Sequence, residues 1–283
     1  MNDDRTKETP HSPRKPQAEK KTSRAEFFAR LLFILSILLL LVLSHRLWQI
    51  HEMYQLGEQT YDALATQIHQ TEAEEDNHNQ SQPPAVDIGA LQAVSADAIG
   101  WLYSPDTPID YPVMRAEAYD QYLHHLPDGT YNESGTPFLD SHHAPDLNGK
   151  LSVIYGREAP GDQMFSSLLH YKTQAYYEAH PDLRLYTKQG SYTIELLYGY
   201  TIEPGQWRER AFMFEANRAA LLDYAAAHTT FERPAARTEG DSLEGERLMV
   251  LATSNRRFDT GGYLVIGILR PLYPDRDNRP LPF

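Results

Sequence analysis

Leu248-Met249-Val250-Leu251-Ala252-Thr253-Ser254 is an apolar, strand-like run that ends on two hydroxyl side chains. About a hundred residues earlier, Leu151-Ser152-Val153-Ile154-Tyr155 is a second such run, closed by Gly156-Arg157. Working outward, Trp101-Leu102-Tyr103, Ile109 to Met114 and Thr136 to Asp140 read as further short strands, bounded by Pro, Gly and Asp turns. Leu183 to Thr187 and Tyr192 to Ile202 read as a hairpin around Gln189-Gly190, and Tyr263 to Leu269 as the last strand. Two stretches have helical patterning: Met164 to Tyr177, stopped near Pro181, and the alanine-rich Glu215 to His228. Many strands with few helices predict a barrel or sandwich with added helices. No internal repeat is visible.

The chain has 283 residues and no cysteine. Disulfides, thiolate metal sites and thiol catalysis are therefore excluded. The net charge of -13 is unevenly spread. Residues 1–30 carry eight Lys/Arg against five Asp/Glu, a balance of +3, which leaves -16 on the remainder. An acidic main domain repels phosphates and argues against nucleic acid as a partner.

The basic start has a different explanation. Residues 1–26 are polar, charged and proline-containing, and read as a disordered cytoplasmic tail. Leu31 to Leu43 is an unbroken apolar block apart from Ser36, extended backwards by Phe27, Phe28 and Ala29. Arg30 can snorkel toward the headgroups, so 27–44 is expected to be a transmembrane signal anchor. The residues after it, Ser44 to Ile50, show no small-residue cleavage site. Lys15, Lys20, Lys21, Arg24 and Arg30 crowd its N-terminal side. The positive-inside rule then places the N-terminus in the cytoplasm and the acidic domain outside.

Residues 45–85 read as a juxtamembrane helix and linker. Leu47, Ile50, Tyr54, Gly57, Tyr61, Leu64 and Ile68 recur at spacings of three and four. Such a stripe either packs on its own domain or pairs two copies as a coiled coil, a homodimer through 47–68. Glu72 to Pro84 is polar and ends in Pro83-Pro84, as linkers do. A globular domain is expected over 86–273, followed by a tail, 274–283.

The ordered series of segments from Asp87 to Leu269 resembles the class B sortases. Asp97 to Tyr103 is similar to that family's first strand. Thr107-Pro108-Ile109-Asp110-Tyr111-Pro112-Val113 is similar to its Thr-x-Ile-Asp-Tyr-Pro-Val segment. Tyr119 to Leu123, Gly135 to Asp140, and Tyr155-Gly156 followed by Met164-Phe165 and Leu168 continue in register. The helix before Leu248 resembles the insertion that sets class B apart. The resemblance implies a mainly β fold, an eight-stranded barrel with added helices. It also implies cell-surface residence in a Gram-positive-type envelope, where such proteins act in cell-wall sorting and pilus assembly.

In the family a cysteine thiolate attacks the Thr–Gly bond of a sorting signal. A histidine protonates the leaving amine, an arginine stabilises the oxyanion or positions substrate, and an amine resolves the acyl-enzyme. Here the cysteine position holds Ser254 and the histidine position Arg157, while counting places Gly262 where the arginine belongs. Arg256 or Arg257 could supply the cation from the preceding loop, and Tyr155 and Thr253 are expected to line the substrate groove. A serine is a poor nucleophile without a base, and a guanidinium that stays protonated can neither accept nor shuttle a proton. The expectation is a pseudo-sortase that binds a sorting-signal peptide, a pilin or an active sortase without cutting. The alternative is a serine hydrolase or transpeptidase using Ser254, with His142 or His143 as replacement base. These two histidines, near Asp140 and Asp146, also raise a metal site, but adjacent loop histidines are more often solvated. No metal or cofactor is expected.

Overall fold

The computed structural model describes residues 24–70, 85–115, 121–203, 215–234, 243–254 and 261–272. Helix α1 runs Arg24–Ile68, followed by short strands β1 (His69–Gln70) and β2 (Ala85–Val86), and helix α2 (Ile88–Val94). Then come β3 (Ala98–Tyr103), β4 (Asp110–Arg115), β5 (Phe138–Leu139) and β6 (Leu151–Arg157). Helix α3 (Gln174–Ala179), β7 (Asp182–Thr187) and β8 (Gly190–Ile202) follow. Helix α4 (Arg218–His228), β9 (Leu248–Ser254) and β10 (Gly262–Pro271) complete the described elements. The chain forms two compact units, 1–50 and 51–283.

In the first unit, the described residues are all helical and exposed, from Phe27 and Phe28 through the leucine run to Leu43. This helix is long and apolar enough to cross a membrane.

The second unit is a closed barrel in the order β10-β8-β7-β3-β4-β5-β6-β9, with β9 pairing back to β10. Most neighbours are antiparallel, but β4 with β5 and β6 with β9 are parallel. That parallel pair explains the two apolar runs: Leu151 to Arg157 are all buried, and so are Leu248 to Thr253. Val153, Tyr155, Val250 and Ala252 join one core cluster, while Ile154, Met249 and Leu251 join another. A strand buried on both faces loses polar alternation and reads as a continuous hydrophobic run.

Two sequence expectations shift in detail. Met164 to Tyr177 is not one helix but a 3-10 segment, Phe165–Lys172, followed by α3. The 47–68 stripe divides between the two units. Tyr54, Gly57, Tyr61, Leu64 and Ile68 are buried, and the unit they belong to is the barrel's own. Expectations for Glu72 to Pro84 lie outside the described residues.

The loop 121–136 holds this part of α1. Asn132 Nδ2 donates to the Met53 carbonyl at 2.8 Å, and Gly57 approaches so closely that a Cβ there would sit 2.8 Å from Ser134 Oγ. The Tyr61 hydroxyl donates to the Gly135 carbonyl and lies 2.9 Å from Thr136 Oγ1. Burial pushes the Tyr61 pKa well up, so the phenol remains a donor at any ordinary pH. Tyr61→Phe leaves a buried carbonyl without its donor and is expected to cost about 1–3 kcal/mol. Urea unfolding of the two proteins, at unchanged slope, measures it. At the helix end, His69 Nε2 lies 2.9 Å from Asp110 Oδ1, which also accepts from Trp101 Nε1 at 2.6 Å.

Candidate functional site

The parallel ladder of β6 and β9 runs from Leu151 opposite Leu248 to Arg157 opposite Ser254. Two residues ninety-seven positions apart therefore end side by side, about 4.8 Å apart in the hydrogen-bonding direction. Strand β10 pairs Leu264 with Ala252 on β9, so Gly262 begins β10 at the same rim. Positions 157, 254 and 262 are thus brought together by backbone register.

Thr253 ties the three strands. Its Oγ1 donates to Glu158 Oε1 at 2.8 Å and accepts from the Tyr263 amide at 3.0 Å. Thr253 and Tyr155 were expected on a groove wall, but both are fully buried. Tyr155 packs its ring on Phe138, with centroids 5.6 Å apart. They brace the strand ends and present no surface to a ligand.

Arg157 has a side chain only 2% exposed. Its Nη1 donates to His124 Nδ1 at 2.6 Å and to the Leu123 carbonyl at 3.2 Å. Its Nη2 is 2.9 Å from Glu133 Oε2. That contact is a charge contact and not an aligned hydrogen bond, since neither Nη2 nor Nε has a hydrogen-bond partner. An arginine has no lone pair to offer, so the 2.6 Å contact makes His124 Nδ1 the acceptor and leaves the imidazole proton on Nε2.

Both partners come from one loop folded back on itself. The Asn132 amide donates to the His124 carbonyl, and the Thr136 amide to the Tyr122 carbonyl. This sets Glu133 on one arm against His124 on the other. The Tyr131 hydroxyl donates to Glu133 Oε1 at 2.6 Å, and its ring stacks on His124 at an interplanar angle of 7°. Partial burial pulls the Glu133 carboxyl upward. The Tyr131 hydroxyl and the Arg157 charge outweigh it and hold the pKa below the ordinary value.

A depressed carboxylate pKa stabilises the fold at pH above the unfolded-state value, and the contribution is lost as pH falls through the folded one. The melting temperatures of wild type and Glu133→Gln should therefore differ at neutral pH and converge in acid. The gap is expected to stay below about 1 kcal/mol, because Glu133 is partly exposed and solvent screens the pair. Melting curves at stepped pH check it.

The other candidates fall elsewhere. The Asp140 amide bonds the Val153 carbonyl, four residues before Arg157 on β6. His142 and His143 follow Asp140 in the turn after β5. His142 Nδ1 pairs with the buried Asp140 carboxylate at 2.7 Å. Among the described residues, no cluster of His, Asp and Glu has the makings of a metal site. Arg256 and Arg257 lie outside the described residues. What sequence reasoning missed is Glu133, Tyr131 and His124. Their only local signal is the turn chemistry of Pro127-Asp128-Gly129, which marks a loop but not what it touches.

The sequence and the fold have relatives. A sortase B of Listeria monocytogenes is 31% identical over 110 residues, covering 39% of this chain and 45% of that protein. Sortase B of Staphylococcus aureus is 20% identical over 177 residues, covering 62% and 70%. The sequence is similar to class B sortases, and the closed eight-stranded barrel with added helices is the fold that those proteins have. The solved sortase B of Bacillus anthracis in complex with AAEK1 superposes with a TM-score of 0.62 at 21% identity, covering 78% of this chain and all of that one. The Staphylococcus aureus sortase B–substrate complex gives 0.59 at 19% identity, covering 78% and 95%. The sequence match thus spans just under half of the Listeria protein and over two thirds of the Staphylococcus one. No protein-family model matches the chain.

Proposed function

We propose that this chain is a membrane-anchored sortase B-like protein that is silent as a transpeptidase and acts by binding a sorting signal, a pilin or a partner sortase. One observation carries the reading. The residue paired with Ser254 is an arginine whose guanidinium is engaged by His124, Leu123 and Glu133. A group that stays protonated cannot serve as general base or acid, and the chain has no cysteine to be activated. The exposed apolar helix with a basic N-terminal flank supports an anchor, with the acidic domain outside the cell.

The alternative is a serine enzyme using Ser254. His124 is the histidine that reaches Arg157, but its Nδ1 lone pair is given to the guanidinium and its Nε2 carries the proton. In that tautomer it cannot deprotonate a hydroxyl. The test uses the full chain in nanodiscs with a fluorescent sorting-signal peptide. Saturable binding without cleavage, read by anisotropy and mass spectrometry, is the expected result. Absence of binding sinks the proposal, as does cleavage. Cleavage lost in Ser254→Ala, with sulfonyl fluoride labelling of Ser254, establishes the serine enzyme instead.

A further inference from the structure

The guanidinium of Arg157 is satisfied on one side only. Nη1 has two partners, a carbonyl and an imidazole nitrogen. The opposite edge, Nε and Nη2, is buried and without a hydrogen bond. That edge presents two parallel N–H groups, the fork that a carboxylate fills with both oxygens. Glu133 approaches it with one oxygen on Nη2, off the hydrogen-bonding direction, and with none on Nε. Its other oxygen is held by the Tyr131 hydroxyl. The edge is therefore charge-compensated but not filled.

From this we propose that the Nε/Nη2 edge of Arg157 is a binding site for a ligand carboxylate, with Glu133 as the internal group that this carboxylate displaces. The inference deepens the binding role proposed above and rests on it, because Arg157 stands beside Ser254 at the rim where a bound peptide would end. Displacement asks little of the backbone. Asn132 and Ser134 are fully buried and anchored against α1, whereas the Glu133 side chain between them is 22% exposed. Rotating that side chain outward, with Tyr131, opens the edge while the loop stays fixed. A neutral carbonyl offers a single oxygen and no charge, so it neither fills both N–H groups nor replaces the Glu133 carboxylate. The carboxylate is either a chain terminus or an acidic side chain, as both have the same fork geometry.

The experiment follows the Arg157 Nε–H resonance in full-length protein labelled with 15N-arginine, held in nanodiscs at physiological salt and assigned with Arg157→Lys. The probes are N-acetylglycine (a terminal carboxylate), N-acetylglutamic acid α-amide (a side-chain carboxylate) and N-acetylglycinamide (neither). At least one carboxylate probe should shift the resonance saturably, the stronger of the two naming the source, and N-acetylglycinamide should not. Glu133→Gln removes the competitor and should tighten that probe about two- to fivefold, the range for freeing a partly exposed pair. Equal shifts with N-acetylglycinamide overturn the inference. So does no response to either carboxylate at tens of millimolar, or an unchanged affinity in folded Glu133→Gln. Because these probes contain no sorting sequence, failure here is separable from failure of peptide binding: a protein that binds the sorting peptide but ignores both carboxylates keeps the first role and loses this site.

Discussion

Ser254→Cys alone is expected to give no measurable cleavage of a sorting-signal peptide. A thiol in place of the hydroxyl supplies a better nucleophile, but Arg157 beside it can neither take the thiol proton nor pass one to the leaving amine. Missing members of such a unit cost on the order of 10⁴–10⁶ in rate, so single restorations stay at background. Adding Arg157→His and Gly262→Arg is expected to recover part of the activity. Recovery stays partial because Glu133, which now faces the guanidinium, would draw the introduced imidazole toward itself. Gly262 itself sits in extended strand, paired with Ile202, and the glycine conformation belongs to its neighbour Gly261 at φ 85°. A side chain at 262 therefore meets no backbone penalty, and Gly261 is the position to leave alone. Peptide products by mass spectrometry across single, double and triple variants, with circular dichroism for folding, decide the matter. Cleavage by the single cysteine variant, or a folded triple variant that binds peptide without cutting it, would show that positions 157, 254 and 262 have been wrongly assigned.

Gly135→Ala is expected to be the most damaging small substitution in the loop that holds Arg157, at about 3 kcal/mol or more. Gly135 adopts φ 61°, where a side chain is strained. Its Cβ would also lie 2.5 Å from the Leu123 carbonyl oxygen and 2.7 Å from that of Tyr122, and backbone atoms cannot step aside. Those carbonyls belong to the opposite arm of the loop, and Leu123 also accepts from Arg157. The strain would therefore loosen both the Arg157 contacts and the Tyr61 bond to α1. Chemical denaturation measures the loss. Gly129→Ala is the control: Gly129 has φ 84° but open space around it, so only the conformational part of the cost should appear. Equal losses for the two variants would refute the clash argument.

Much of this was legible in order along the chain. The apolar runs ending at Arg157 and Ser254, the Gln189-Gly190 hairpin and the exposed leucine helix all follow from local patterns of hydrophobicity and turn residues. Such patterns report which faces of an element are buried, and they hold whatever the partner is. Arg157 and Ser254 were equally visible, because they stand at the ends of recognisable strands. So was the absence of any cysteine, which needs no coordinates to interpret.

What the sequence could not reveal is where a side chain spends its hydrogen bonds. The 47–68 stripe has the same spacing whether it meets a second copy or its own domain, and burial of Tyr54, Tyr61 and Leu64 settled the place of those residues. Tyr155 and Thr253 sit next to the site in sequence, yet both lie on strands that are buried on both faces. Glu133 and His124 meet Arg157 across 24 and 33 positions of chain through a loop with no periodicity. Strand identity is a property of neighbours in sequence and was determined there. The partners of a buried charge are chosen by which loop the closed barrel brings over it, and only the tertiary structure decides that.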